Sequence, residues 1–120
     1  MHITMRNCMN CNVEFQFSRN TCGKYCSNRC QHDFQFNEKF NKFVRGENII
    51  RGYRLVKRCL ILKYGEKCAI CEIDSWRACP ITLEVDHMSG NRKDNSITNV
   101  RLLCPNCHSQ TDTYRTKNKK

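Results

Sequence analysis

Residues 81 to 114 read ITLEVDHMSGNRKDNSITNVRLLCPNCHSQTDTY, and this stretch decides the fold. Ile81, Leu83 and Val85 alternate with Thr82, Glu84 and Asp86, the pattern of a half-buried strand. A polar loop, SGNRKDNSITN, follows and is rich in turn-forming residues. Val100, Leu102 and Leu103 then form a second strand able to pair antiparallel with the first. Pro105 is placed to open a helix, which Asn106 to about Tyr114 continues. Such a hairpin returns the end of the first strand to the start of the helix. Asp86 and His108, distant in sequence, are thereby expected to face one another.

Two knuckles bracket this insert. Cys68-x2-Cys71 and Cys104-x2-Cys107 predict a structural zinc held by four thiolates. Near the start of the chain Cys8-x2-Cys11 is followed by Cys26-x3-Cys30, a second set of four candidate ligands for a structural zinc. Cys22 is a spare that could replace one of them. Val13, Phe15 and Phe17 alternate as a strand leaving the first knuckle would. Ser27 is placed to cap a helix running through Gln31 and Phe34, with Cys30 facing the metal from its first turn. The arrangement resembles a treble-clef type of small zinc finger. It is expected to be structural, with a DNA-docking role open.

Between the ends, residues 36 to 66 carry eight Lys or Arg and read as a basic helical connector. Leu55, Cys59 and Leu62 recur at helical spacing, with Val56 and Leu60 beside them, and Arg54, Lys57 and Arg58 take another face. That face serves equally as a solvated exterior or as a phosphate contact. Gly46 and Gly52 predict breaks on either side of Ile49 and Ile50. The expected organisation is a zinc finger over 1–35, the connector over 36–66 and a functional domain over 67–120, making a small zinc-stabilised α+β protein.

Composition agrees with this division. A chain of 120 residues with 39% hydrophobic content makes one or two units, each too small to hold itself by a core alone. Eleven cysteines supply the missing cross-links, and their odd number suits metal ligation better than a closed disulfide set. MHITMRNCMN lacks the apolar core of a signal peptide, and no run approaches a membrane span of roughly 20 residues. A cytoplasmic setting with reduced thiols, and no membrane partner, is the expectation. The formal charge is +10, and two four-thiolate zinc sites would leave about +6. That excess favours a polyanionic partner, nucleic acid being the commonest.

The Asp-His pair at a strand end, the Asn before a second apolar strand, and the Cys-x2-Cys-His opening a helix give the sequence its resemblance to the HNH nucleases. The residues carrying it are Asp86-His87, Asn99 and His108. The phrase LLCPNCHSQT and the flanking knuckles look like the small HNH proteins of bacteriophages and mobile elements. The resemblance covers roughly residues 67 to 115 and implies a ββα-metal fold, a double-stranded DNA substrate and a bacterial or phage-infected host cell. On this reading His87 is the general base, a neutral imidazole being suited to accept a proton from water. Asp86 and His108 are ligands of a catalytic divalent ion (Mg2+, Mn2+, Ni2+ or Zn2+), a Lewis acid for the phosphate. Asn99 is implied to hold the loop and orient His87. Asp112, four residues after His108, falls on the same helix face as a candidate third ligand or else a solvated carboxylate, and Glu84 shares the strand face of Asp86. Asn91 and Asn95 read as loop formers that could reach the metal or a phosphate. Arg92, Lys93, Arg101 and Arg115, with Arg54, Lys57 and Arg58, are candidate phosphate contacts.

Two other functions fit parts of the sequence. A non-catalytic zinc-bound nucleic-acid-binding protein would share the charge but has no need of a base beside a metal ligand. A protein-interaction zinc module would need neither the basic connector nor the positive charge. Monomer and homodimer are equally compatible with these residues.

Overall fold

The computed structural model describes residues 4–17 and 23–114. Cys22, His2 and the basic tail from Arg115 lie outside the described residues. The chain divides into two compact units, residues 1–41 and 42–120. No helix among the described residues is long and apolar enough to cross a membrane.

In the first unit, β1 (Met5–Asn7) pairs antiparallel with β2 (Glu14–Gln16), Arg6 lying opposite Phe15. The knuckle joining them turns at Asn12, whose φ of 63° puts it in the left-handed region. Gly23 has φ +75°, and a Cβ there would meet the Phe17 ring and the Arg6 guanidinium. Those two groups stack, with the Arg6 Cζ 4.1 Å from the ring centre. Helix α1 (Asn28–Val44) starts as the sequence predicts, Ser27 Oγ accepting the Cys30 N–H at 3.2 Å. Among its described residues the apolar packing of this unit includes the Tyr25–Phe34 ring pair at 5.6 Å and the stacked Phe36–Phe40 pair at 6.2 Å.

The second unit has a core of Phe43, Ile50, Val56, Cys59, Leu60, Leu83, Val85, Val100, Leu102 and Leu103. Each large side chain taken out of water here contributes about 1.5–3 kcal/mol. The breaks predicted at Gly46 and Gly52 are present: α1 ends at Val44, and α2 (Tyr53–Tyr64) starts directly after Gly52. Gly65 closes α2 at φ 91°, its N–H donating to the Ile61 carbonyl at 2.8 Å. The buried face of α2 is Val56, Cys59 and Leu60, whereas Leu62 is exposed. The stripe is therefore rotated from the expected Leu55–Cys59–Leu62 line, because Leu60 rather than Leu62 meets the hairpin core.

A two-residue hairpin, β3 (Ser75–Trp76) with β4 (Cys79–Pro80), follows the second knuckle. Then β5 (Glu84–His87) pairs antiparallel with β6 (Val100–Leu103), setting Asp86 opposite Arg101 and His87 opposite Val100. Helix α2 packs on both strands, and α3 (Pro105–Ser109) sits against them as well. The strand–loop–strand–helix order is the one the sequence predicts, but α3 is shorter. Its end has a local cause. The Thr111 backbone N–H and hydroxyl both donate to the His108 carbonyl, at 3.1 and 2.8 Å, occupying the acceptor that the Asp112 N–H would use in a continuing helix.

Candidate active site

Asp86 and His87 close β5 and His108 lies in α3, and all three line one cleft of about 290 Å3. Tyr53, Val85, Gly90, Arg92, Thr113 and Tyr114 complete its walls. Asp86 Oδ1 lies 3.7 Å from His108 Nε2. Two donors each bound to one ion at roughly 2.1 Å, at angles between tetrahedral and trigonal, stand about 3.4–3.6 Å apart. The pair therefore stands close to the spacing of two ligands that share a tetrahedral or trigonal ion.

Both donors are held from behind. Glu84 Oε1 lies 2.7 Å from His108 Nδ1, which leaves Nε2 directed at Asp86. Arg101 Nε donates to Asp86 Oδ2 at 2.9 Å, so one carboxylate oxygen is anchored and the other faces His108. Asp86 is only 2% exposed, and a buried carboxylate without such a cation would be costly. The Tyr114 ring meets the His108 ring edge-on at 5.0 Å.

The side chain that meets His87 differs from the expectation. Asn99 does hold the loop: its Oδ1 accepts the Ser89 N–H at 2.9 Å and its Nδ2 donates to the Asp94 carbonyl at 2.8 Å. The side chain at His87 is instead that of Asn95, Oδ1 to Nε2 at 2.7 Å. The loop is tightened further at Asp94, whose Oδ1 accepts from the Ser96 hydroxyl at 2.6 Å and the Ser96 N–H at 3.1 Å. Those two bonds hold the Asp94 carboxyl below its usual range.

Asp112 is corrected more strongly. It lies beyond the end of α3, is exposed, and lines a separate open pocket with Ile70, Met88 and Arg101 rather than the cleft. The early end of α3 removes the four-residue offset that would have aligned it with His108. Asn91 is exposed and caps its own turn, Oδ1 accepting the Lys93 N–H at 3.1 Å. Among the candidate phosphate contacts, Arg92 is at the cleft, Lys93 is exposed on the loop, and Arg101 is engaged by Asp86. Arg54 and Arg58 are on the outer face of α2, with Lys57 half-buried.

The cysteines gather as two groups, Cys8, Cys11, Cys26 and Cys30, and Cys68, Cys71, Cys104 and Cys107, with all sulfurs of a group within 4.8 Å of one another. Four sulfurs at roughly 2.3 Å from a common centre lie about 3.8 Å apart. The Cys11–Cys26, Cys26–Cys30 and Cys71–Cys104 sulfurs stand at 3.7, 3.6 and 3.7 Å. Either cluster could hold a metal ion.

The knuckles also share a backbone pattern. Cys8 and Cys68 each donate to the carbonyl five residues on, and the residues after the second cysteine, Asn12 and Glu72, donate back at 2.9 and 3.0 Å. Both of those residues have φ near 63°. Burial pushes the Cys8 and Cys68 thiols up, but surrounding backbone hydrogen bonds outweigh it and bring each to about 6. Cys107 is pushed up to about 12 by burial and then by the neighbouring thiols. Cys26 is likewise pushed up to about 12, chiefly by the Cys30 side chain. Crowded thiols share their charge unequally in this way until a cation balances them.

A small α+β protein that places an Asp-His strand end against a helix histidine, beside a four-thiol knuckle, has the arrangement that the resemblance to the HNH nucleases implies, and the chain is similar to a known protein of that family. Over 90 residues, 70% of this chain, it is 37% identical to the H-N-H endonuclease F-TflIV of Escherichia phage T5. It spans 39% of that relative's length. No model of a known protein family matches the chain, and no solved structure matches it.

Proposed function

We propose that this protein is a metal-dependent endonuclease that hydrolyses phosphodiester bonds in double-stranded DNA, on a ββα-metal frame formed by β5, β6 and α3. The observation that carries this reading is the convergence of the His87 ring and the Asp86–His108 donor pair on one cleft. Asp86 Oδ1 and His108 Nε2 would hold a divalent ion, which supplies Lewis acidity for the charge that develops on the phosphate and the leaving oxygen. His87 takes the proton of the attacking water. Glu84 fixes the His108 ring and Arg101 fixes the Asp86 carboxylate. Asn99 closes the loop on which the base is carried. Arg92 at the cleft meets a phosphate, and Arg54, Lys57, Arg58 and Lys93 add sequence-independent contacts.

The two thiol clusters are read as structural zinc sites, four sulfur donors being the set that zinc prefers. They do not touch the reacting phosphate.

The test is cleavage of supercoiled plasmid in Mg2+, Mn2+ or Ni2+ by the wild type and by His87→Ala at matched zinc content. Loss of general-base help is expected to slow cleavage by about 10²–10⁴-fold while DNA binding persists. Equal rates for the two proteins would overturn the assignment of His87. No cleavage by either, in any of the three metals, would favour a non-catalytic nucleic-acid-binding protein.

A further inference from the structure

Asn95 is 6% exposed, and a buried amide must find partners for both its oxygen and its nitrogen. Its Nδ2 donates to the Ile50 carbonyl at 2.7 Å. That bond decides which end of the amide faces the cleft, and the remaining end, Oδ1, lies 2.7 Å from His87 Nε2. An amide oxygen only accepts, so His87 Nε2 must carry a hydrogen. In the neutral ring the lone pair is then on Nδ1. A second tie sets the backbone under this side chain: the Asn95 N–H donates to Asn48 Oδ1 at 3.0 Å, and Asn48 Nδ2 donates to the Lys93 carbonyl at 3.2 Å. Asn48 and Ile50 belong to the segment between α1 and α2, well before the stretch that carries the nuclease motif.

We infer that Asn95, braced by the Asn48–Ile50 segment, is a positioning residue for His87. It holds the ring as the Nε2–H tautomer and leaves Nδ1 as the atom that accepts the proton of the attacking water. The inference rests on the reading of His87 as the base. It makes the connector a working part of the site, because the carbonyl that orients Asn95 comes from there. A wrongly protonated imidazole cannot accept at the nitrogen the substrate meets, whatever its position.

The test uses the full chain loaded with zinc, labelled with 15N at histidine and studied at about pH 8, above the ordinary imidazole range. The His87 signals are identified by their absence in His87→Ala. Nε2 is expected to be the protonated nitrogen in the wild type, and both tautomers to appear in Asn95→Ala. Single-turnover cleavage by Asn95→Ala at saturating DNA is expected to fall about 10–100-fold, with DNA affinity and zinc content unchanged. A wild-type ring protonated on Nδ1, or an Asn95→Ala protein matching the wild type in tautomer and rate, would overturn the inference. Should Asn95→Ala not fold, Asn48→Ala decides, since Asn48 is exposed and its loss spares the core. It is expected to mix the tautomers and lower the rate to a smaller degree, and an unchanged tautomer and rate would count against the bracing. Tautomer mixing by Asn95→Ala in a protein whose His87→Ala variant cleaves normally would sink the base assignment, not the hold of Asn95 on the ring.

Discussion

Glu84 shapes the candidate site although it is not among the residues that line the cleft. Its carboxylate, 2.7 Å from His108 Nδ1, turns the ring so that Nε2 points at Asp86. Removing it leaves the donor in place but lets the ring rotate. Glu84→Ala is therefore expected to raise the Mn2+ concentration needed for half-maximal cleavage by about 10–100-fold, with a smaller rise for Glu84→Gln, which keeps an acceptor. A metal titration of cleavage checks this, and superimposable curves would refute it. Asp86, His87 and His108 could be read from the sequence because adjacency at a strand end and a cysteine-histidine helix start are local patterns. The contact between Glu84 and His108 spans 24 residues, and that between Asn95 and Ile50 spans 45. Sequence spacing put Glu84 on the correct face but carried no sign of which asparagine would reach His87. Asn91, Asn95 and Asn99 are alike in composition, and only the packed loop tells them apart.

At the level of elements, periodicity located α2 and the β5–β6 hairpin but not the angle at which the helix settles. Leu60 is 0% exposed and Leu62 is 57% exposed, although both fall near the apolar stripe. Leu60→Ala should cost about 2–5 kcal/mol in denaturant unfolding. Leu62→Ala should stay within roughly 0.5 kcal/mol of the wild type. Equal losses would mean that α2 packs by a different face. Helix α3 was legible at its start, where Cys104 Sγ accepts the Cys107 N–H at 3.4 Å and Pro105 follows. Its end was not legible. Thr111 is an ordinary helix residue by propensity, and only its hydroxyl bond to the His108 carbonyl shows why the helix stops before Asp112.

Across the whole molecule, two small units each carry a cluster of four thiols, and the apolar core among the described residues lies mainly in the second. Cysteine spacing announced both thiol groups, because a paired set of four cysteines is one of the few long-range groupings that residue identity alone suggests. Stripping the ions with a strong chelator under reducing conditions is expected to release two zinc ions per chain and abolish cooperative thermal unfolding. Circular dichroism with a colorimetric zinc assay checks it, and a melt unchanged by demetallation would remove the structural role. The ion pair between Arg101 and Asp86 has a different kind of consequence. Half of the carboxylate's charge is already spoken for, so the protein alone offers a hard cation only a thin shell of one oxygen and one nitrogen. Water fills the rest of such a shell, and phosphate oxygens of bound DNA would replace part of it. Cation and DNA then tighten one another by the same factor, as linkage requires. On the proposed reading, the resting protein would bind magnesium weakly and bound DNA would strengthen that hold.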